Sequence, residues 1–139
     1  MTEYKKIFLD TAPIIYFVEK KPVFYEKMNQ LLLANAGADF VTSVITVAEY
    51  FPYPLKQPNK EELIREFDAF MDNLEIDILN IDRSLAMNAA QIRADYTAFK
   101  MMDSLQLAAA MSVGCDLFLT NDRQLRQFSK IPCLTLDDL

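Results

Sequence analysis

Four acids in this chain stand where an acid can do more than hydrate a surface. Residues 99–122 read FKMMDSLQLAAAMSVGCDLFLTND. In this stretch Asp103 opens an almost wholly apolar helix over 105–113, Gly114 stops it, and the apolar run Leu117-Phe118-Leu119 ends in Thr120-Asn121-Asp122. A helix apolar on every side is buried, and a continuous apolar strand belongs in a parallel sheet covered on both faces. Asp103 and Asp122 are therefore mounted on the ends of core elements. Asp10-Thr11 follows the apolar run Ile7-Phe8-Leu9 in the same way, and Glu49 lies inside VITVAEYF, just after a second strand. Each acid also has a purely structural role available. Asp10 and Asp122 can cap the helices behind them. Asp103 fits a capping box with Gln106 at N3, and Glu49 sits at the edge of the stripe Val44, Val47, Ala48 and Phe51, where a solvated face begins.

Together the acids imply chemistry. Two carboxylates about 4 Å apart repel by roughly 1 kcal/mol in water and about 4 kcal/mol near a protein surface. A hard divalent cation removes that cost, and Mg²⁺ and Mn²⁺ prefer oxygen ligands. We expect Asp10, Glu49 and Asp103 to be metal ligands, with Asp122 serving a second metal or orienting a water. Thr11, Ser104, Thr120 and Asn121 are neutral partners that can fix the carboxylates. Such a cation activates water and stabilises charge on a phosphate oxygen. What the chain lacks narrows the field. It has no histidine, which excludes Ser-His and Cys-His nucleophilic schemes and any histidine base. Its two glycines cannot build a phosphate-cradling loop. Cys115 and Cys133 without histidine make no zinc site and read as buried thiols.

The elements that must position these acids alternate along the chain. Strand one is expected at residues 7–9, followed by a helix with Pro13 in its first turn. A second helix runs over 22–36, strand two over 39–42, and a helix capped by Ser43 over 44–51. Pro52, Pro54 and Pro58 make a turn. Asn59 caps a helix over 60–73, strand three falls at 76–81, and Asp82 or Ser84 caps a helix reaching residue 96. After the 105–113 helix and the 117–119 strand come a short helix at 123–127 and a last strand at 133–136. Alternating strands and helices imply right-handed βαβ units, hence an α/β fold with a parallel sheet of four to five strands and helices on both faces. In such sheets sites form beyond the carboxyl ends of the strands, the edge at which all four acids fall.

The chain has 139 residues, the size of one domain, so a single domain over 1–139 is expected. No apolar run approaches the roughly 20 residues needed to span a bilayer, and MTEYKKIFLDT lacks a signal-peptide core. We expect a cytoplasmic protein. The net charge of −6 gives no general attraction to nucleic acid. Any phosphate partner would depend on the metal and on a local basic rim, for which Lys20, Lys21, Lys56, Lys100, Arg123 and Arg126 are the candidates. Phe24, Tyr25, Phe67 and Phe70, on the helices over 22–36 and 60–73, exceed what a thin sheet cover needs and predict a homodimer through that surface.

Four motifs carry a family resemblance: LDTAPIIY at 9–16, SVITVAEYF at 43–51, KMMDSLQLAAA at 100–110 and FLTNDRQL at 118–125. In order and spacing they resemble the PIN-domain nucleases, above all the VapC-type ribonuclease toxins of bacterial toxin–antitoxin systems. The resemblance covers the chain end to end. It implies a Rossmann-like three-layer sandwich and an acidic tetrad at Asp10, Glu49, Asp103 and Asp122, with hydroxyl partners at Thr11 and Thr120. It also implies Mg²⁺ or Mn²⁺, an RNA substrate, homodimers, and inhibition by an antitoxin whose tail enters the groove. The turn from Pro52 to Pro58 departs from the pattern. One rival is a catalytically silent PIN-fold protein that binds RNA or assembles with partners, although a binding module has no need of four clustered acids. A phosphoacceptor domain of the receiver type is disfavoured, because no lysine follows Leu119 in register.

Overall fold

The computed structural model describes residues 3–139. At its centre is a five-stranded sheet in the order β3-β2-β1-β4-β5, with every neighbouring pair parallel. The strands are β1 (Lys6–Leu9), β2 (Asp39–Ser43), β3 (Asp77–Leu79), β4 (Leu117–Thr120) and β5 (Cys133–Thr135). Among the described residues six α-helices connect them: α1 (Thr11–Val18), α2 (Pro22–Ala34), α3 (Val44–Tyr50), α4 (Lys60–Asn73), α5 (Arg83–Asp95) and α6 (Met101–Ser112). This is the expected Rossmann-like α/β sandwich. None of the helices among the described residues is long and apolar enough to cross a membrane.

The alternation of side chains along a strand divides the core in two. Ile7 and Leu9 of β1 and Leu117 and Leu119 of β4 point to one face and pack with Ile14, Met28, Leu31 and Phe67. Phe8 and Phe118 point to the other, stacked with ring centroids 5.1 Å apart, and pack with Leu85, Ala89, Ile92 and Leu107 from α5 and α6. All seven side chains that β1 and β4 place on these two faces from Ile7 to Leu9 and Leu117 to Thr120 are buried. That explains why both segments read as unbroken apolar runs closed by a polar residue.

Several local expectations change in the structure. Helix α6 begins at Met101, with extended Lys100 at its N-cap and no side-chain cap, so Asp103 lies inside the first turn. The capping box is therefore not formed, and Gln106 is free for another role. Buried Phe99, stacked on Tyr96 at 4.8 Å, starts the helix early by fixing the chain just before it. The buried face of α3 is Thr46 and Tyr50 while Ala48 is exposed, so the stripe read through Val44 and Ala48 is turned. Strand β3 is shorter than residues 76–81 because it is a half-exposed sheet edge. The four aromatics expected to be spare are engaged within the chain. Phe67 is 1% exposed and packs on Tyr50 and Phe51, Phe24 stacks on Tyr16, and Tyr25 and Phe70 pack on Phe17. Truncating Phe67 in this setting leaves a cavity between α4 and α3. Phe67→Ala is expected to cost about 3–4 kcal/mol, read as a lower urea midpoint at unchanged slope; a loss under about 1 kcal/mol would contradict the packing.

Candidate active site

In an open parallel sheet a crevice opens where strand order reverses. Here the reversal falls between β1 and β4, the central pair. The residue leaving β1 is Asp10, whose amide donates to the Leu119 carbonyl at 2.9 Å. The residues leaving β4 are Asn121 and Asp122. A crevice of about 930 Å³ lies at this point, lined by Asp10, Thr11, Glu49, Lys100, Asp103, Thr120, Asn121, Asp122 and Arg123 among others. The topology thus brings together the acids from positions 10, 49, 103 and 122.

Asp10 is the fixed point. It is 7% exposed and caps α1, its Oδ1 accepting from the Thr11 amide at 2.9 Å. Oδ1 also accepts from Gln106 Nε2 at 3.3 Å, and Oδ2 from Thr120 Oγ1 at 2.8 Å. Cap and crevice acid are therefore compatible roles. Burial raises the Asp10 pKa, its three donors oppose the rise, and the Glu49 charge adds to it. Thr120 Oγ1 also accepts from the Asp122 amide at 3.1 Å, and Asp122 Oδ1 caps the following 3-10 turn through Gln124 N at 2.9 Å. Glu49, one turn and a half into α3, accepts from Thr11 Oγ1 at 2.7 Å. Asp103 projects from the first turn of α6. Its pKa is pushed up to about 7 by burial first, then by the charges of Asp10, Asp122 and Glu49, with Lys100 opposing.

Not every expected residue reaches the crevice. Ser104 is buried and turns back to its own helix, donating to the Lys100 carbonyl at 3.0 Å. Asn121 lines the crevice and donates to Tyr16 Oη at 3.2 Å. Of the basic candidates, Lys100 and Arg123 line it. Lys20 and Lys21 follow α1 at the end remote from Asp10, about 12 Å away along an eight-residue helix. Lys56 is exposed in the turn beyond α3. Arg126 is drawn off to Asp138 at 2.6 Å and Thr135 at 3.0 Å, and Arg123 itself holds Asp137 at 2.9 Å. Sequence reasoning missed Gln106, Thr46 and Thr42, which form a buried polar floor. The signal was available: a lone Gln106 among Leu105, Leu107 and Ala108 is a buried amide that must find partners.

Whether these residues suit a divalent cation can be judged from the donor set. Four carboxylates face Lys100 and Arg123, an excess of two negative charges (four minus two) in the lining. Every candidate ligand is a hard oxygen, and the pKa values of Asp10 and Asp103 are raised by burial first and by neighbouring carboxylates second. Among the described residues no three acids converge into a ready-made cage. Mg²⁺ keeps several waters and needs only one or two direct carboxylates, so an open arrangement of this kind fits it.

The raised Asp103 pKa has a measurable consequence. Its folded value, about 7, lies above its ordinary 3.8. The folded chain therefore binds more protons than the unfolded one between about pH 4 and 7, and stability is lost as pH rises through that window. Solvent screening of a half-exposed group reduces the effect to order 1 kcal/mol, about 4 °C in melting temperature. In metal-free buffer Asp103→Asn is expected to melt that much higher at pH 8 and no higher at pH 4.5. Equal differences at both values would remove the repulsion at Asp103.

Comparison with protein-family profiles matches the PIN domain over residues 7–131. A comparison with curated protein sequences finds no match. Among solved structures, the chain is similar to a DNA-bound VapBC from Salmonella typhimurium, with 25% identity, TM-score 0.76, and coverage of 95% of this chain and 98% of that one. It is similar to VapBC2 from Rickettsia felis bound to a promoter DNA fragment, with 18% identity, TM-score 0.73, and coverage of 94% and 98%. It is also similar to a toxin–antitoxin complex from Klebsiella pneumoniae, with 19% identity, TM-score 0.63, and coverage of 94% and 97%. With a parallel sheet that reverses at β1, acids gathered at that reversal, and a profile match over most of its length, the chain belongs to the PIN domain family.

Proposed function

We propose that this protein is a Mg²⁺- or Mn²⁺-dependent endoribonuclease and the toxin of a type II toxin–antitoxin system. The observation that carries the proposal is the buried Asp10 carboxylate, held by three donors at the sheet's switch point beside three further acids. Asp10, Glu49 and Asp103 would hold the cation, and Asp122 would hold a second one or orient a water. When bound, the cation lowers the pKa of water and neutralises charge on the phosphodiester. Thr11 and Thr120 keep Glu49 and Asp10 oriented through their hydroxyls. Lys100 and Arg123 meet backbone phosphates, which position a strand without reading its sequence.

The toxin assignment draws its support from the similar solved structures, named as VapBC or toxin–antitoxin complexes. It brings with it a cognate antitoxin and a homodimer. The compartment is the cytoplasm, where buried Cys115 and Cys133 stay reduced thiols. Residues 1–139 act as one domain. The test is incubation of single-stranded RNA with the protein in Mg²⁺ or Mn²⁺, and again in excess EDTA. Internal cleavage that EDTA abolishes is expected. RNA bound but uncut in both metals would instead identify a silent binding protein.

A further inference from the structure

The polar side chains beneath the crevice form one bonded unit, and counting protons from the Leu9 carbonyl gives the bonds around Gln106 a direction. Thr42 Oγ1 donates its only proton to the Leu9 carbonyl at 2.8 Å. In the 2.8 Å pair of Thr42 with Thr46, the donor is therefore Thr46. Thr46 then accepts from Gln106 Nε2 at 2.9 Å, and the second Nε2 proton goes to Asp10 Oδ1 at 3.3 Å. Ser43 Oγ accepts from the Ile45 amide at 3.1 Å and donates to Gln106 Oε1. The amide of Gln106, 1% exposed, is thus held in one orientation. Turned over, its Oε1 would face the Asp10 carboxylate.

This one side chain joins three acid-bearing elements. It touches Asp10 at the end of β1. Through Ser43 and Thr46 it grips the first turn of α3, on which Glu49 lies three residues beyond Thr46. It sits on α6 three residues after Asp103, on the same helix face. We propose that Gln106 is a positioning residue that sets the spacing of Asp10, Glu49 and Asp103 and so the affinity of the crevice for its divalent cation. The proposal rests on the metal-dependent nuclease reading. Gln106 touches neither substrate nor cation; it acts through the carboxylates.

The test uses the full chain with Gln106→Met, which keeps side-chain length and removes both donors. Its Mn²⁺ dissociation constant by titration calorimetry is expected to rise 10- to 100-fold, as when groups that orient metal ligands are lost. RNA cleavage at low Mn²⁺ should fall by the same factor and recover at saturating Mn²⁺, with KM for RNA unchanged. A folded Gln106→Met that binds Mn²⁺ like wild type overturns the proposal, as does a loss of activity that Mn²⁺ cannot restore. Should Gln106→Met not fold, Ser43→Ala, which removes the bond tying the amide to the start of α3, is read by the same calorimetry, and wild-type affinity there also overturns it. Wild-type protein that binds no Mn²⁺ would sink the nuclease reading itself, whereas a wild type that binds and variants that bind equally well sink the role of Gln106 alone.

Discussion

RNA cut by this protein is expected to carry 5′-phosphate and 3′-hydroxyl ends. Ribonucleases that use the substrate's own 2′-hydroxyl as nucleophile need a base to take its proton, commonly histidine, and leave a 2′,3′-cyclic phosphate. This chain has no histidine, and the crevice offers carboxylates instead. Attack by water on phosphorus breaks the bond to the 3′ oxygen and leaves the 2′-hydroxyl unconsumed. A 2′-deoxy substitution at the cut position should therefore slow cleavage through weaker binding without abolishing it. Asp10→Asn keeps the shape of the most buried acid and removes its charge. With several kcal/mol of transition-state charge stabilisation at stake, and about 1.4 kcal/mol per factor of ten, the rate should fall by about 10³-fold. Asp103→Asn should likewise remove activity while RNA binding persists. Cyclic phosphate ends, or undiminished cleavage by Asp10→Asn, would mean that these acids are not the catalyst.

Mn²⁺ is expected to raise the melting temperature by roughly 5–10 °C, and K⁺ at matched ionic strength to leave it unchanged. A ligand that binds only the folded state at 100 times its dissociation constant stabilises by about 2.7 kcal/mol, which corresponds to that shift in a domain of this size. The structural reason is the crowding of Asp10, Glu49, Asp103 and Asp122 around one crevice, where Asp10 and Asp103 both have raised pKa values. Asp10→Asn combined with Asp103→Asn should melt above wild type in metal-free buffer at pH 8, because two mutually repelling charges are gone. The same protein should lose its response to Mn²⁺. Identical metal shifts in the double variant and wild type would show that the cation binds elsewhere.

The tertiary structure also adjusted the electrostatic rim. Six basic side chains were candidates to meet phosphates, yet only Lys100 and Arg123 line the crevice. Proximity in sequence to an acid motif misled for Lys20, Lys21 and Lys56. An eight-residue helix carries Lys20 and Lys21 about 12 Å from Asp10, and Lys56 is exposed in the turn beyond α3. Arg126 was lost to a carboxylate that only folding brings near, Asp138.

Which elements form, and where the acids sit on them, followed from the sequence because the physics there is local. Unbroken apolar runs at 7–9 and 117–119, between turn signals, read as strands buried on both faces. A polar residue directly after such a run must leave the sheet at its carboxyl edge, which is how Asp10 and Asp122 could be read. The start of α6 was less legible. Asp103 and Gln106 match a capping box in sequence, but buried Phe99 starts the helix at Met101 and leaves Asp103 in its first turn. Strand order and the polar floor belonged to the tertiary structure alone. Gln106, Ser43, Thr46 and Asp10 lie as much as 96 positions apart. Their bonds exist only because a buried amide in a low-dielectric core must be satisfied by whatever the packing of α3 and α6 against β1 brings within reach.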